Sequence, residues 1–190
     1  FILDDKKLKM EIILDNKDLD DLVDGHKIQV SIVKEMGKYK YLGEVVKIIG
    51  HKNDPGVDIL SIIYDHGIND TFTDEVMEEV NALPSEVLDS DRKGRKDLTD
   101  MTIFTIDGDD TKDIDDAISI SKKGENYILG VHIADVSYYV KEGTALYKEA
   151  YSRGTSVYLV DRVVPMLPHK LSNGICSLNP NVDRLAISCI

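Results

Sequence analysis

The chain has 190 residues, 42% of them apolar, which is enough to bury a core in one large or two small domains. No run approaches the ~20 consecutive apolar residues of a membrane-spanning helix, and no charged-then-apolar leader opens the chain, so a soluble protein with no membrane partner is expected. The net charge of −12 argues at first against a nucleic-acid partner. Location weakens that argument: residues 54–116 hold 19 acidic and 5 basic side chains, whereas 1–53 hold 10 of each and 117–190 hold 6 acidic and 8 basic. The acidity belongs to one central segment, and neither flank shows a dense Lys/Arg stripe. Cys176 and Cys189 make no CxxC or metal-ligand spacing, which suits a reducing, cytoplasmic setting.

From the N-terminus, short apolar runs predict strands at Phe1–Leu3, Met10–Leu14, Lys27–Val33 and Leu42–Ile49. They are separated by turn signals at Asp4-Asp5, Asp15-Asn16, Asp24-Gly25 and Gly37. That cadence is the one expected of a small antiparallel barrel of OB type. Lys38-Tyr39-Lys40-Tyr41 alternates cationic and aromatic residues, so in a strand the lysines would share one face and the tyrosines the other. Such tyrosines either stack on bases or cover the core beside a hairpin.

Asn53-Asp54-Pro55-Gly56 reads as a turn, and the apolar spacing from Val57 to Ile63 predicts a helix stopped near Gly67. A second helix is predicted after Thr73, with acids in its first turns and Val76, Val80 and Leu83 on one side. Pro84 and the charged run Asp89–Asp97 then read as a linker. Strands are predicted at Thr102–Ile106, Ala117–Ser121 and Tyr127–Ile133, with a hairpin turn at Lys122–Asn126 and a helix over Thr144–Arg153 capped by Thr144.

Between two of these strands lie six carboxylates in ten residues, from Asp107 to Asp116. Two carboxylates about 5 Å apart repel by roughly 3 kcal/mol at an effective dielectric near 20, so such a loop is either solvated or built for a divalent cation. An EF-hand is excluded: with Asp107 at position 1, Lys112 stands where glycine is needed and Ile118 where the bidentate glutamate should be. Short aspartates at i, i+6, i+8 and i+9 are instead similar to the hard-oxygen cage of a Mg²⁺-dependent phosphodiester-cleaving enzyme.

Four motifs resemble the ribonuclease II/R (RNB) family. They are Thr105–Ala117, Val131-His-Ile-Ala-Asp-Val-Ser-Tyr-Tyr-Val140, Arg153-Gly-Thr-Ser-Val-Tyr158, and Val164–Pro168 followed by Leu171–Pro180. The segment Gly50–Ile59 resembles that family's junction between cold-shock barrel and catalytic domain, and two motif versions sit nearer the R branch than the II branch. The resemblance implies an α+β chain: an OB-type, cold-shock barrel and following helix over 1–66, an acidic helical linker over 67–101, and the first part of a mixed α/β RNB catalytic domain over 102–190. It implies a processive, hydrolytic 3′-to-5′ exoribonuclease of RNA decay and quality control, dependent on Mg²⁺ and releasing nucleoside 5′-monophosphates from single-stranded RNA 3′ ends, with structured RNA as a further candidate.

By the same resemblance Asp107, Asp113, Asp115 and Asp116 are the catalytic, metal-holding aspartates, with Asp107 and Asp116 as direct ligands, and Tyr158 stacks on the 3′-terminal base. The family's catalytic domain continues beyond Ile190 with a glutamate, an arginine, an aromatic partner for Tyr158 and a further RNA-binding barrel. Residues 1–190 alone are therefore expected to be inactive, and the whole protein monomeric and cytoplasmic. A non-catalytic RNA-binding module of the same fold and a Ca²⁺-stabilised domain are the alternatives. His132 is expected to be a packed histidine and Pro165–Pro168 a rigid turn, while Arg153 and Arg184 either reach phosphate or form structural pairs.

Overall fold

The computed structural model describes residues 1–5, 7–14 and 21–190. They divide into two compact units, Phe1–Asp70 with Leu159–Arg162, and Thr71–Tyr158 with Val163–Ile190. In the first, the described strands β1 (Glu11–Leu14), β2 (His26–Gly37) and β3 (Lys40–His51) form one sheet in the order β1-β3-β2. The long hairpin pairs β2 antiparallel to β3, and β1 joins in parallel. Gly43 stands between Leu14 and Ile32 in the central strand, where a Cβ would lie 2.5 Å from the Val30 side chain, so only glycine admits this close approach.

Helix α1 (Val57–Asp65) buries Val57 and Ile63. It ends as the sequence predicts: Gly67 takes φ 66° and the Ile68 N–H returns to the Ile63 carbonyl. Three expectations fail in this unit. The sheet is not wholly antiparallel, because β1 pairs in parallel with β3. Phe1–Leu3 is not a strand, with Phe1 and Ile2 left 67% and 93% exposed. Lys38–Tyr41 is not one strand either, because Lys38 and Tyr39 make the hairpin turn, with Tyr39 at φ 63°, and β3 begins at Lys40. The period-two rule therefore does not carry across this run. The Asp15-Asn16 turn lies outside the described residues.

The second unit opens with α2 (Asp74–Ala82), whose Thr73 hydroxyl accepts from the Val76 N–H and whose Val76 and Val80 are buried, as predicted. An antiparallel sheet follows in the order β4-β5-β6-β9, from β4 (Ile103–Phe104), β5 (Asp116–Lys123), β6 (Asn126–Ala134) and β9 (Ala186–Cys189). Between β6 and β9 run the single turn α3 (Val136–Tyr139), α4 (Ala145–Arg153), the small hairpin β7 (Val157–Tyr158) and β8 (Val163–Val164), and a π-helical turn at Lys170–Ile175. Helices grouped beside an antiparallel sheet make this the α+β architecture expected.

The core of this unit gathers Val76 and Val80 of α2, Tyr139, Leu146, Leu171, Ile175, Cys176 and Leu185, with Leu167 of the Pro165–Pro168 turn packed against it. Glu79 of α2 also caps α4, accepting from the Ala145 and Leu146 N–H groups at 2.9 and 2.8 Å. Those two amides, Leu146 first, hold its carboxyl below the usual carboxylate range. The charged run 89–97 is woven into the unit. Asp91 accepts from the Leu88 N–H and the Tyr138 hydroxyl, Arg92 pairs with Asp183, and Arg95 meets Asp135 at 2.6 Å.

Candidate functional site

The acidic stretch connects β4 to β5, and its two halves are held differently. From Lys112 onward each peptide group is gripped from another element. Ser177 Oγ donates to the Lys112 carbonyl at 2.9 Å and accepts from the Ile114 N–H at 3.0 Å. The Leu178 N–H reaches the Ile114 carbonyl at 2.8 Å, and the Ala134 N–H reaches the Asp115 carbonyl at 2.9 Å. Asp116 then enters the β5 ladder opposite Ile133. The earlier half is fastened, among the described residues, by one local bond from the Thr111 N–H to the Gly108 carbonyl.

Asp113, Asp115 and Asp116 are thus fixed to the scaffold, whereas Asp107 rides on an exposed, locally held turn. Partial burial, and then the charges of Asp113, Asp116 and Asp107, push the Asp115 carboxyl above the usual carboxylate range. The crowding of like charge therefore disfavours the ionised form of Asp115. Still, among the described residues no three His, Cys, Asp or Glu side chains converge as one ligand set. Four like charges have no reason to close on each other unaided, and among the described residues no distant bond to Asp107 is seen.

Tyr158 stands opposite. Its hydroxyl lies 3.3 Å from Asp113 Oδ2, and the charge of Asp113 leads the influences that raise the phenol pKa. The ring is 68% exposed. Asp113, Asp115, Tyr158, His169, Ser172 and Asn173 border a cleft of about 540 Å³. One wall is carboxylate, the other an open aromatic face beside amide and hydroxyl groups. Such a cleft suits a cation and a flat base side by side.

The other singled-out residues are structural. His132 is 2% exposed and bonded on both ring nitrogens, to Ser119 Oγ at 2.9 Å and Ser188 Oγ at 2.7 Å. Gly130 permits this, since a Cβ there would lie 2.4 Å from Ser119 Oγ. Arg153 pairs with Glu149, donates to the Pro165 and Thr71 carbonyls and stacks on Phe72, so its guanidinium is committed within the unit. Arg184 is likewise committed to the Ser177 and Asp183 carbonyls. Ser177, fully buried, is the residue that sequence reasoning passed over: it sits in a mixed stretch, Ser172-Asn-Gly-Ile-Cys-Ser-Leu-Asn179, with no period pointing to the acidic loop.

A second recess, in the first unit, is bordered by Lys7, Lys9, Tyr39 and Tyr41. It joins cations and aromatic faces despite the broken strand.

The RNB domain is matched over residues 95–190 and the cold shock domain over residues 1–73. Ribonuclease R of Thermotoga maritima is 52% identical over 174 residues, which cover 87% of this chain and 24% of that protein. Among solved structures, Mycoplasma genitalium RNase R in complex with ribose methylated single-stranded RNA aligns with a TM-score of 0.88 at 32% identity, covering 96% of this chain and 29% of that one. The same protein in complex with double-stranded RNA gives 0.86 at 32% identity, covering 95% and 32%. The chain spans about a quarter of the length of the curated relatives it matches.

Proposed function

The chain belongs to the RNB family, and on that premise we propose that the whole protein is a processive, hydrolytic 3′-to-5′ exoribonuclease that releases nucleoside 5′-monophosphates in RNA decay and quality control. The carrying observation is the clamped stretch 112–116, which sets Asp113 and Asp115 along one wall of a cleft whose other wall is an exposed tyrosine, with Asp116 next to them at the start of β5. Asp107, Asp113, Asp115 and Asp116 would hold Mg²⁺, an all-oxygen donor set that fits a hard cation. When bound, that ion supplies charge neutralisation and water activation.

The chain's own part is to orient the RNA end. Tyr158 offers a π-face to the 3′-terminal base, and its hydroxyl against Asp113 ties ring and carboxylate into one geometry. Lys7, Lys9, Tyr39 and Tyr41 are suited to hold an incoming single strand by charge and stacking. Single-stranded and structured RNA are both candidate substrates, since the relative of known structure has complexes with each. The cytoplasm is the setting this reading implies.

The test is product analysis. Full-length protein with 5′-labelled RNA and Mg²⁺ is expected to yield mononucleotides and a short end product, and an unchanged strand would leave a non-catalytic RNA-binding module. Two further outcomes follow. Calorimetry on residues 1–190 is expected to show at best weak Mg²⁺ binding, because no three carboxylates are preassembled among the described residues, and a tight site would contradict this. Tyr158→Ala in the full-length protein is expected to change end-product length, since one stacked base is worth about 1–3 kcal/mol. Unchanged product sizes would return Tyr158 to a purely structural role.

A further inference from the structure

Asp113 is bracketed by a single hydroxyl. The Lys112 carbonyl belongs to the peptide group before Asp113, and the Ile114 N–H to the one after it. Ser177 Oγ bonds both, at 2.9 and 3.0 Å, so one side chain fixes the two planes that meet at the Asp113 Cα and hence its φ and ψ. Asn179 Oδ1, at 3.3 Å, is a longer second acceptor for the same hydroxyl. Ser177 cannot drift, because it is fully buried and its own carbonyl accepts from Arg184 Nε at 2.9 Å. The next residue, Leu178, holds the following peptide group of the loop. Asp113 in turn meets Tyr158 across the cleft.

We propose that Ser177 is a positioning residue for RNA cleavage, whose hydroxyl sets the direction of the Asp113 carboxylate and, through it, the spacing between the acidic wall and Tyr158. The inference rests on the exoribonuclease reading of this cleft. Ser177 touches neither RNA nor the reacting atoms in this arrangement. Its effect is on geometry alone, and supports of this kind shift activity or metal affinity by about 10- to 100-fold when removed.

The experiment uses the full-length protein. Ser177→Ala is expected to slow single-turnover cleavage at saturating RNA by about 10- to 100-fold and to raise the Mg²⁺ concentration for half-maximal rate, with RNA affinity unchanged. Hydrogen exchange read by mass spectrometry should quicken in the peptide spanning 112–116 and stay unaltered in β6 and α4. Should Ser177→Ala not fold, Ser177→Cys keeps a γ-atom at the site, slightly larger than the oxygen, while replacing a strong hydrogen-bonding group by a weak one, and it serves the same comparison. A normal cleavage rate per folded molecule, or a parallel loss of RNA affinity and rate, overturns the inference. Asp113→Asn is run beside it. If that variant also cleaves normally, the reading of the cleft as the cleavage site fails; if it is inactive while the Ser177 variant is normal, only the role given to Ser177 fails.

Discussion

Asp115→Asn is expected to abolish cleavage by the full-length protein while leaving RNA affinity unchanged or slightly raised. The substitution keeps the shape of the side chain and removes one negative charge. RNA held along a channel touches many phosphates, so the loss of one carboxylate does not weaken binding, and less repulsion strengthens it slightly. Cleavage depends on charge placed where the transition state develops it, and one preorganised group of that kind is worth ~10²–10³ in rate. Parallel loss of affinity and turnover, or near-normal turnover, would remove this loop from the cleavage step.

Stability should move the other way. Burial and three neighbouring carboxylates raise the Asp115 pKa in the fold, so the folded chain binds that proton more readily than the unfolded chain does. The associated stabilisation is complete below the ordinary carboxylate range and is lost as pH rises through the raised value. In the absence of divalent cations, Asp115→Asn is therefore expected to melt higher than the parent at neutral pH, with the difference closing as the solution is made acidic. Equal melting temperatures across that range would show that the crowding carries no cost.

The sequence made local signals readable. Thr73 and Thr144 announced their helices because each is a capping residue three positions before an amide it accepts from. Gly67 announced a stop because few other residues take its positive φ. The acidic loop was legible by composition, and the resemblance added which aspartates to weigh. What could not be read were bonds that close over long stretches of chain. Ser177 lies 63 residues from Ile114, in a mixed polar and apolar stretch whose pattern names no partner for its hydroxyl. The run 89–97 has the composition of a solvated linker, yet Arg95 finds Asp135 40 residues on and Asp91 finds Tyr138 47 residues on. Composition reports the average preference of a segment for water, and two or three specific partners are enough to override it. At Lys38–Tyr41 the reason is different: the period of two holds within a strand and does not carry across the turn at Lys38 and Tyr39.

The ion pair between Arg95 of that run and the buried Asp135 gives the second large effect. Arg95→Met is expected to destabilise residues 1–190 by about 2–4 kcal/mol, below the full cost of orphaning a buried charge because the Arg95 side chain is partly exposed. Methionine keeps an unbranched apolar stem but removes both the ion pair and the guanidinium that lies 5.1 Å over the Tyr138 ring, so most of the loss is electrostatic. Asp135, 7% exposed beside Arg95, would lose its guanidinium partner. Burial is the largest single influence on its carboxyl and pushes the pKa up, but the Arg95 hydrogen bond, the Ser137 hydroxyl, the guanidinium charge and the Tyr138 amide together hold it below the usual range. A depressed carboxyl stabilises the fold above the ordinary carboxylate range and loses that contribution as pH falls through its folded value. The gap between parent and variant should accordingly be widest near neutral pH and shrink in acid, and a gap independent of pH would mean that the pair contributes packing alone. Cleavage by the full-length variant should fall as well, because Asp135 directly follows Ala134, whose N–H holds the Asp115 carbonyl. If the variant melts lower yet cleaves RNA at the parental rate per folded molecule, the charged run supports the fold without reaching the aspartates.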